Sequence, residues 1–361
     1  MYFEPWRDAK AYSIGAELEA RFQDKDSYEL KNYSTKILSL IEDRYKKRIH
    51  QEFLECMIEF VTPVCGSSKE AIREIKSDIA YLTGLSDDFV LTTSGSCSLK
   101  VDPLRHIDEP RYDAFAKEYG VLLSRFHICG FHIHVGMPSS DEALKAYNTT
   151  LEYLPIFLAL SANSPFFNGE FTGLLSYRAK LFEQLPRAGL SSYFDSYDDM
   201  KKLYLTMYDA GTLKSHKDIW WDVRISPIFK TLEIRICDAS NDFERLELLI
   251  DLFQALTLYA QSKPLDKIPH QVLLQNRWNA ARHGLNGLFQ SNEKIYSIRE
   301  HFLDLLDTME KEGIFSQLKT SSSVDRLREL AFVDELARRE IKEYEKNKNL
   351  LNIEKMGKVE I

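Results

Sequence analysis

The sequence lacks a surplus of positive charge, a long apolar run and the common phosphate-cradling glycine loops. Lysine and arginine number 47 against 55 aspartates and glutamates, for a formal charge of −8. A nucleic-acid binder needs a basic surface, so that class is disfavoured. No run approaches the roughly 20 apolar residues that span a bilayer. Residues 1–8 lack the basic-then-apolar order of a secretory leader. The expectation is a cytoplasmic protein with neither membrane nor nucleic-acid partners. The five cysteines, at 56, 65, 97, 129 and 237, are odd in number and form no C-x-x-C pair. That argues against a disulfide framework and a structural zinc site. Neither G-x-x-x-x-G-K-[ST] nor G-x-G-x-x-G occurs, so a bound nucleotide would have to be held through metals and arginines. Arg178, Arg224, Arg235 and Arg282 are the candidates, because planar guanidinium forks match phosphate oxygens. For each alone, a structural salt bridge is the plainer reading.

What is present is an ordinary globular composition, 44% hydrophobic and 28% charged over 361 residues. That length suits one large domain or two small ones. No fixed-period repeat interrupts it. Helical patterning covers 34–45, 67–82, 141–162, 242–261, 297–306 and 324–347. Ser67 and Glu70 fit a capping box. Pro155 should kink or divide the third of these helices. Residues 90–98 and 166–173, rich in Ser, Thr, Gly and Asn, read as loops and as candidate covers for a site.

Four short segments alternate with period two. In 13–22, Ile14, Ala16, Leu18, Ala20 and Phe22 share one face, and Glu17, Glu19 and Arg21 the other. Cys56, Ile58 and Phe60 oppose Glu55, Met57 and Glu59. Phe131, Ile133 and Val135 oppose His132 and His134. Leu232, Ile234 and Ile236 oppose Thr231, Glu233, Arg235 and Cys237. One-sided strands separated by helices indicate an α+β fold: an antiparallel or mixed sheet with helices on one face. Alone, Glu17 and Glu19 are a solvated strand face, His132 and His134 hydrogen-bonded surface or core histidines, and Glu233 and Arg235 a surface ion pair. Together, Glu17, Glu19, Glu59 and Glu233 would crowd one surface. Carboxylates so placed repel one another unless cations sit among them. Mg²⁺ or Mn²⁺ suits such an oxygen-rich site.

These residues lie in longer motifs, among them GAELE at 15–19, IEFVTPVC at 58–65, GFHIHVG at 130–136 and ALSANSPFFNG at 159–169. LPRAG at 185–189, IWWDVR at 219–224, EIRICD at 233–238 and NRWNAAR at 276–282 follow in order. The series resembles the type 2 glutamate–cysteine ligase family, the YbdK-like carboxylate–amine ligases, over residues 13–290. The resemblance implies a glutamine-synthetase-like fold, a curved and mainly antiparallel sheet with helices on its outer face. It divides the chain into a catalytic domain over 1–290 and a helical C-terminal extension over 291–361 packed on it. That extension is a candidate homodimer contact. The resemblance further implies an ATP- and Mg²⁺-dependent ligase forming a γ-glutamyl amide from glutamate, or a similar carboxylate, and an amine. Glu17, Glu19, Glu59 and Glu233 take the metal role. His132, His134 and Arg282 would contact the nucleotide or its metals. Arg235, Arg178 and Arg224 would contact the reacting groups. A guanidino kinase and an inactive nucleotide-binding regulator are the alternatives. Two departures stand out. TTSGSCS at 92–98 replaces a Gly-x-His-Pro-like turn and is expected near the substrate, and Leu18 replaces a third glutamate.

Overall fold

The computed structural model describes residues 3, 6, 10–101, 105–318 and 324–361. The reading of residues 1–8 therefore falls mostly outside the described residues. Seven strands form the main sheet: β1 (Ile14–Gln23), β2 (Ile49–Gln51), β3 (Met57–Val61), β4 (Val90–Thr92), β5 (Gly130–Gly136), β6 (Val223–Ser226) and β7 (Thr231–Asp238). Their order is β6-β7-β5-β1-β3-β2, with β4 pairing the far end of β1. Every pairing in this sheet is antiparallel. The architecture is α+β.

The period-two pattern sets the two faces. Ile14, Ala16, Leu18, Ala20, Ile58, Phe60, Phe131, Ile133, Val135, Leu232 and Ile234 are all buried in one core. Helices Ser68–Thr83, Ser140–Ser161 and Phe243–Tyr259 supply the other side of that core. Ser67 caps the first, its hydroxyl accepting from Glu70 N at 3.2 Å. The Glu70 carboxylate accepts from Gly66 N at 2.8 Å, one residue short of a full capping box. Ser140–Ser161 runs through Pro155 undivided. Its residues from Tyr147 to Ser161 are all buried, and packing on every side overrides the missing backbone donor.

Elsewhere the sequence pattern is only partly followed. The helix expected over 34–45 is a single turn, Ser34–Leu38. That expected over 324–347 is broken into Val324–Glu329 and Leu336–Asn347. At the start of the second piece the buried Glu335 carboxylate accepts from Leu285 N at 2.8 Å and Arg338 Nε at 2.6 Å. The period-two reading of β7 also fails at its end. A bulge between Ile234 and Cys237 advances the register, so Cys237 pairs with Phe131 and joins the core. Asp238 then takes the opposite face, paired with Gly130.

Residues 92–98 correct the expectation of an open loop beside substrate. Thr92, Thr93, Ser94, Ser96, Cys97 and Ser98 are all buried. Arg21, fully buried on β1, donates to Ser94 O at 2.9 Å, Ser94 Oγ at 2.7 Å and Ser96 O at 3.1 Å. From the outside the C-terminal segment closes over the strap. Thr93 N donates to Gly357 O at 2.9 Å, Val359 N to Leu91 O at 2.9 Å, and Gln23 Nε2 to Glu354 Oε2 at 2.8 Å. The Glu354 carboxylate also accepts from Ser98 N.

Candidate active site

The polar face of the sheet is the floor of a cavity of about 410 Å³. Glu17, Glu19, Glu59, His132, His134, Arg178, Arg224 and Arg235 all line it. The register explains the convergence. Glu17 stands opposite His132, Glu19 opposite Glu59, His134 opposite Glu233, and Glu233 opposite Arg224. Directly paired residues point to the same side.

Glu17 occupies the middle. Its Oε2 lies 3.0 Å from His132 Nδ1 and its Oε1 3.2 Å from His134 Nε2. Burial pushes this carboxyl up, but His134 and His132 outweigh burial and hold it well below the usual glutamate range. Glu233 is fully buried beneath the floor. It accepts two bonds from Arg224, Nε to Oε2 at 2.6 Å and Nη2 to Oε1 at 3.1 Å, and pairs with Arg235. Burial raises it, and Arg224, His134 and Arg235 overcome burial to keep it ionised. His134 is raised, since Glu233 and Glu17 outweigh the burial that opposes its charge. His132 is lowered by burial and by Arg235.

The other flank is unbalanced. Glu59 is pushed well above its usual range by burial and by Glu17 and Glu19. Glu52, at the end of β2, is raised in the same way by burial, Glu59 and Glu19. Glu52 was not singled out from sequence, although His50 and Glu52 continue the alternation of a short edge strand and both line the cavity.

Among the described residues two groups of side chains could hold a cation, each with donor atoms within 4.8 Å of one another: Glu17, His132 and Glu233, and Glu19, Glu59 and His132. The four carboxylates thus form two sets that share His132, in place of a single cluster. His132 Nε2, Arg178 Nε and Arg235 Nε are buried without hydrogen-bond partners. Orphaned donors of this kind ordinarily mark an absent ligand. A carboxylate-rich set with one imidazole fits Mg²⁺ or Mn²⁺.

Arg178 anchors the end of the floor. Its Nη1 donates to Ile236 O at 3.3 Å and lies 3.9 Å from Asp238. A side chain at position 130 would collide with its guanidinium and with His132, so only glycine leaves room for Arg178 there. Arg282 is not brought to this site. It is exposed at the end of the helix His270–His283, and its Nη1 lies 3.7 Å from where a Cβ on Gly173 would stand. The loops expected to cover the site do not line the cavity either. The roof is the helix Pro110–Tyr119 and the 3₁₀ turns that follow, presenting Tyr112, Phe115, Tyr119 and Leu123. The spacing of 112, 115 and 119 is an amphipathic signal that could have identified this helix.

A family model described as glutamate–cysteine ligase family 2 matches residues 13–331. The chain belongs to this family. A relative in Jannaschia sp. (strain CCS1), provisionally named glutamate–cysteine ligase 2, is 32% identical over 330 residues, 89% of this chain and 87% of the relative. One in Frankia alni, provisionally named glutamate–cysteine ligase 2-1, is 32% identical over 320 residues, 84% of each chain. The crystal structure of a glutamate–cysteine ligase from Francisella tularensis in complex with AMP matches with a TM-score of 0.74 at 13% identity, covering 98% of this chain and 89% of that one. A bifunctional glutathione synthetase from Pasteurella multocida matches with a TM-score of 0.74 at 14% identity, covering 95% of this chain and 52% of that one. At these identities the two structures establish shared fold. Family membership makes this protein an enzyme, a ligase of the carboxylate–amine class. Among the described residues no helix is long and apolar enough to cross a membrane.

Proposed function

We propose that the protein is an ATP- and magnesium-dependent ligase that joins the γ-carboxylate of glutamate, or a similar carboxylate, to an amine through an acyl phosphate. The observation that carries this reading is the pair of acidic sets sharing His132 on the floor of a roofed cavity. The Francisella neighbour's complex with AMP agrees with nucleotide use. Magnesium or manganese held by Glu17, Glu233 and His132, and by Glu19 and Glu59, would offset charge on phosphate oxygens.

A carboxylate is a poor acyl donor, and phosphorylation gives it a good leaving group. The carboxylate oxygen attacks the γ-phosphorus and ADP leaves. The amine, having given up its extra proton, then attacks the acyl carbon, phosphate leaves, and the nitrogen releases a second proton to solvent as the amide forms. The protein's own groups position and neutralise. Arg235, braced by Glu233, lines the cavity, where its guanidinium would face the transferring phosphoryl group. Arg178 Nε and neutral His132 Nε2 supply further unpartnered nitrogens. The roof over Phe115 and Tyr119 keeps water from the acyl phosphate. On this reading the concave face is glutamine-synthetase-like, residues 1–290 form the catalytic unit, and 291–361 are a helical extension packed on it.

The test is incubation with ATP, Mg²⁺, glutamate and a pool of primary amines, followed by mass spectrometry. The expected products are ADP, phosphate and a γ-linked amide, lost in chelator and restored by Mg²⁺ or Mn²⁺. A phosphorylated amine without amide would make the protein a kinase. Amide formation that survives chelator would remove the metals from the mechanism.

A further inference from the structure

The roof helix has an unusual deficit. Pro110–Tyr119 carries Tyr112, Phe115 and Tyr119 on one stripe, yet none of its residues is fully buried. An amphipathic helix ordinarily spends its apolar stripe on a core. Here the stripe is shared: Phe115 and Tyr119 pack at one edge on a small cluster of Leu123, Phe126, Ile128, Leu181 and Leu185, and all three rings also line the cavity. Trp220 completes the wall from the β6 side, edge-on to Phe115 with centroids 5.6 Å apart. Phe53 does the same from the β2 side, edge-on to Tyr112 at 5.5 Å. The wall is aromatic from one flank of the floor to the other, and part of it stays open.

At the β2 end this wall meets Glu52. Among the described residues the Glu52 carboxylate accepts a hydrogen bond from its own neighbour's amide, Phe53 N, at 3.2 Å. It belongs to neither set of prospective cation ligands. Arg111, on the roof helix, is already engaged by Asp218 at 3.3 Å and lies over the Phe115 ring at 5.3 Å. Among the described residues no cation is paired with Glu52, which is crowded by Glu59 and Glu19, and a cationic group carried on an apolar body would relieve that crowding beside the aromatic faces. A nucleotide base would bring phosphates toward this carboxylate and be repelled. A protonated amine would be attracted.

We infer that the acceptor is a primary amine bearing an aromatic or bulky apolar group, seated against Phe115, Tyr112 and Trp220 with its ammonium drawn to Glu52. This rests on the ligase reading and narrows it, since a small thiol amino acid would leave the wall uncovered. Glu52 draws the amine in. The rings of the roof are specificity-determining, and the amine closes the gap beneath the helix on binding.

Two measurements on the full chain test it. The first is calorimetric binding of 2-phenylethylamine and of methylamine to the Mg²⁺-loaded protein without ATP. The second is the ligation rate with ATP and glutamate for 2-phenylethylamine, methylamine and cysteine. Expected are kcat/KM values for 2-phenylethylamine about tenfold or more above those for the other two. Phe115→Ala should raise KM for that amine about tenfold while KM for ATP stays within about twofold, and Phe115→Leu should recover part of the loss. Glu52→Gln should weaken binding of 2-phenylethylamine. Amide formed preferentially with cysteine or methylamine would overturn the inference and leave ligation standing. Phenylethylamine binding that depends on Phe115, with no amide from any amine, would uphold the wall and remove ligation. A rise in KM for ATP instead of amine in Phe115→Ala would assign the wall to the base, and absence of phenylethylamine binding would overturn the inference outright.

Discussion

The two flanks of the floor carry the same residue type in opposite electrostatic states. On the β7 side, Glu17 and Glu233 are surrounded by His134, His132, Arg224 and Arg235, and both are held low. On the β3 side, Glu59 and Glu52 face other carboxylates, and both are held high. Burial acts against ionisation on both sides, so the difference comes from neighbours. One flank is neutralised by the protein itself. The other is left incomplete and asks for a cation from outside. A site that must bind and release charged reactants needs both kinds, a fixed framework and an unfilled half.

The comparison breaks most sharply at Arg235, which serves the balanced flank and keeps one nitrogen unpartnered. Arg235→Lys keeps the charge but loses the fork. It should lower kcat about 10²–10³-fold, as loss of a transition-state donor does. The melting temperature should be nearly unchanged, and near-normal turnover would make Arg235 a bystander.

The next test uses stability. Glu233→Gln strips the carboxylate from beneath Arg224 and Arg235 and leaves buried guanidinium charge uncompensated. The expected cost is about 3–5 kcal/mol in denaturant unfolding. Glu59→Gln removes a repelled carboxylate from the other flank, so the metal-free protein should become more stable, and its stabilisation by Mg²⁺ should shrink. Equal destabilisation by both variants would mean that the flanks do not differ.

Acidity separates the flanks again. Carboxyls held high contribute stability that is present below the unfolded glutamate pKa, about 4.3, and is lost as pH rises through the folded value. Glu59 and Glu52 are such groups. Carboxyls held low do the reverse, and Glu17 and Glu233 contribute stability lost as pH falls toward their folded values. Metal-free unfolding free energy should therefore decline on both sides of a mildly acidic maximum. Mg²⁺ should flatten the alkaline limb and release protons on binding, measurable by calorimetry in two buffers. An alkaline limb unchanged by Mg²⁺ would remove Glu59 from the cation set. The smallest effect belongs to Arg282, exposed and outside the cavity. Arg282→Ala should leave turnover within about twofold, and a large loss would extend the site beyond the floor.

Much of this floor was readable before any coordinates. Period two is enforced by the pleat, so Glu17 with Glu19, His132 with His134, and Glu233 with Arg235 had to share faces once the apolar residues chose the core. Register across strands was not readable, because pairing depends on partners distant in sequence. Sequence alone therefore puts the four carboxylates on one surface without dividing them into the two groups that share His132. The alternation puts Cys237 on the wrong face because a bulge adds one residue without any local sequence mark. The strap at 92–98 looked like an exposed loop by composition. Its serines and threonines are buried because Arg21 and the C-terminal segment satisfy its backbone from both sides. Glu52 was hidden by the shortness of β2, three residues with too little alternation to register.

The bond from Gln23 to Glu354 joins residues 331 positions apart. Gln23 ends the strand that bears Glu17 and Glu19, and Glu354 also secures the strap that holds Arg21. During synthesis the carboxylate that ties down the far end of β1 emerges more than 300 residues after β1 itself. Through that interval Arg21, the strap and the end of β1 lack the outer layer that dries them. Closing so long a loop is entropically slow. The strand that carries Glu17 and Glu19 is thus completed only once the segment around Glu354 has been made.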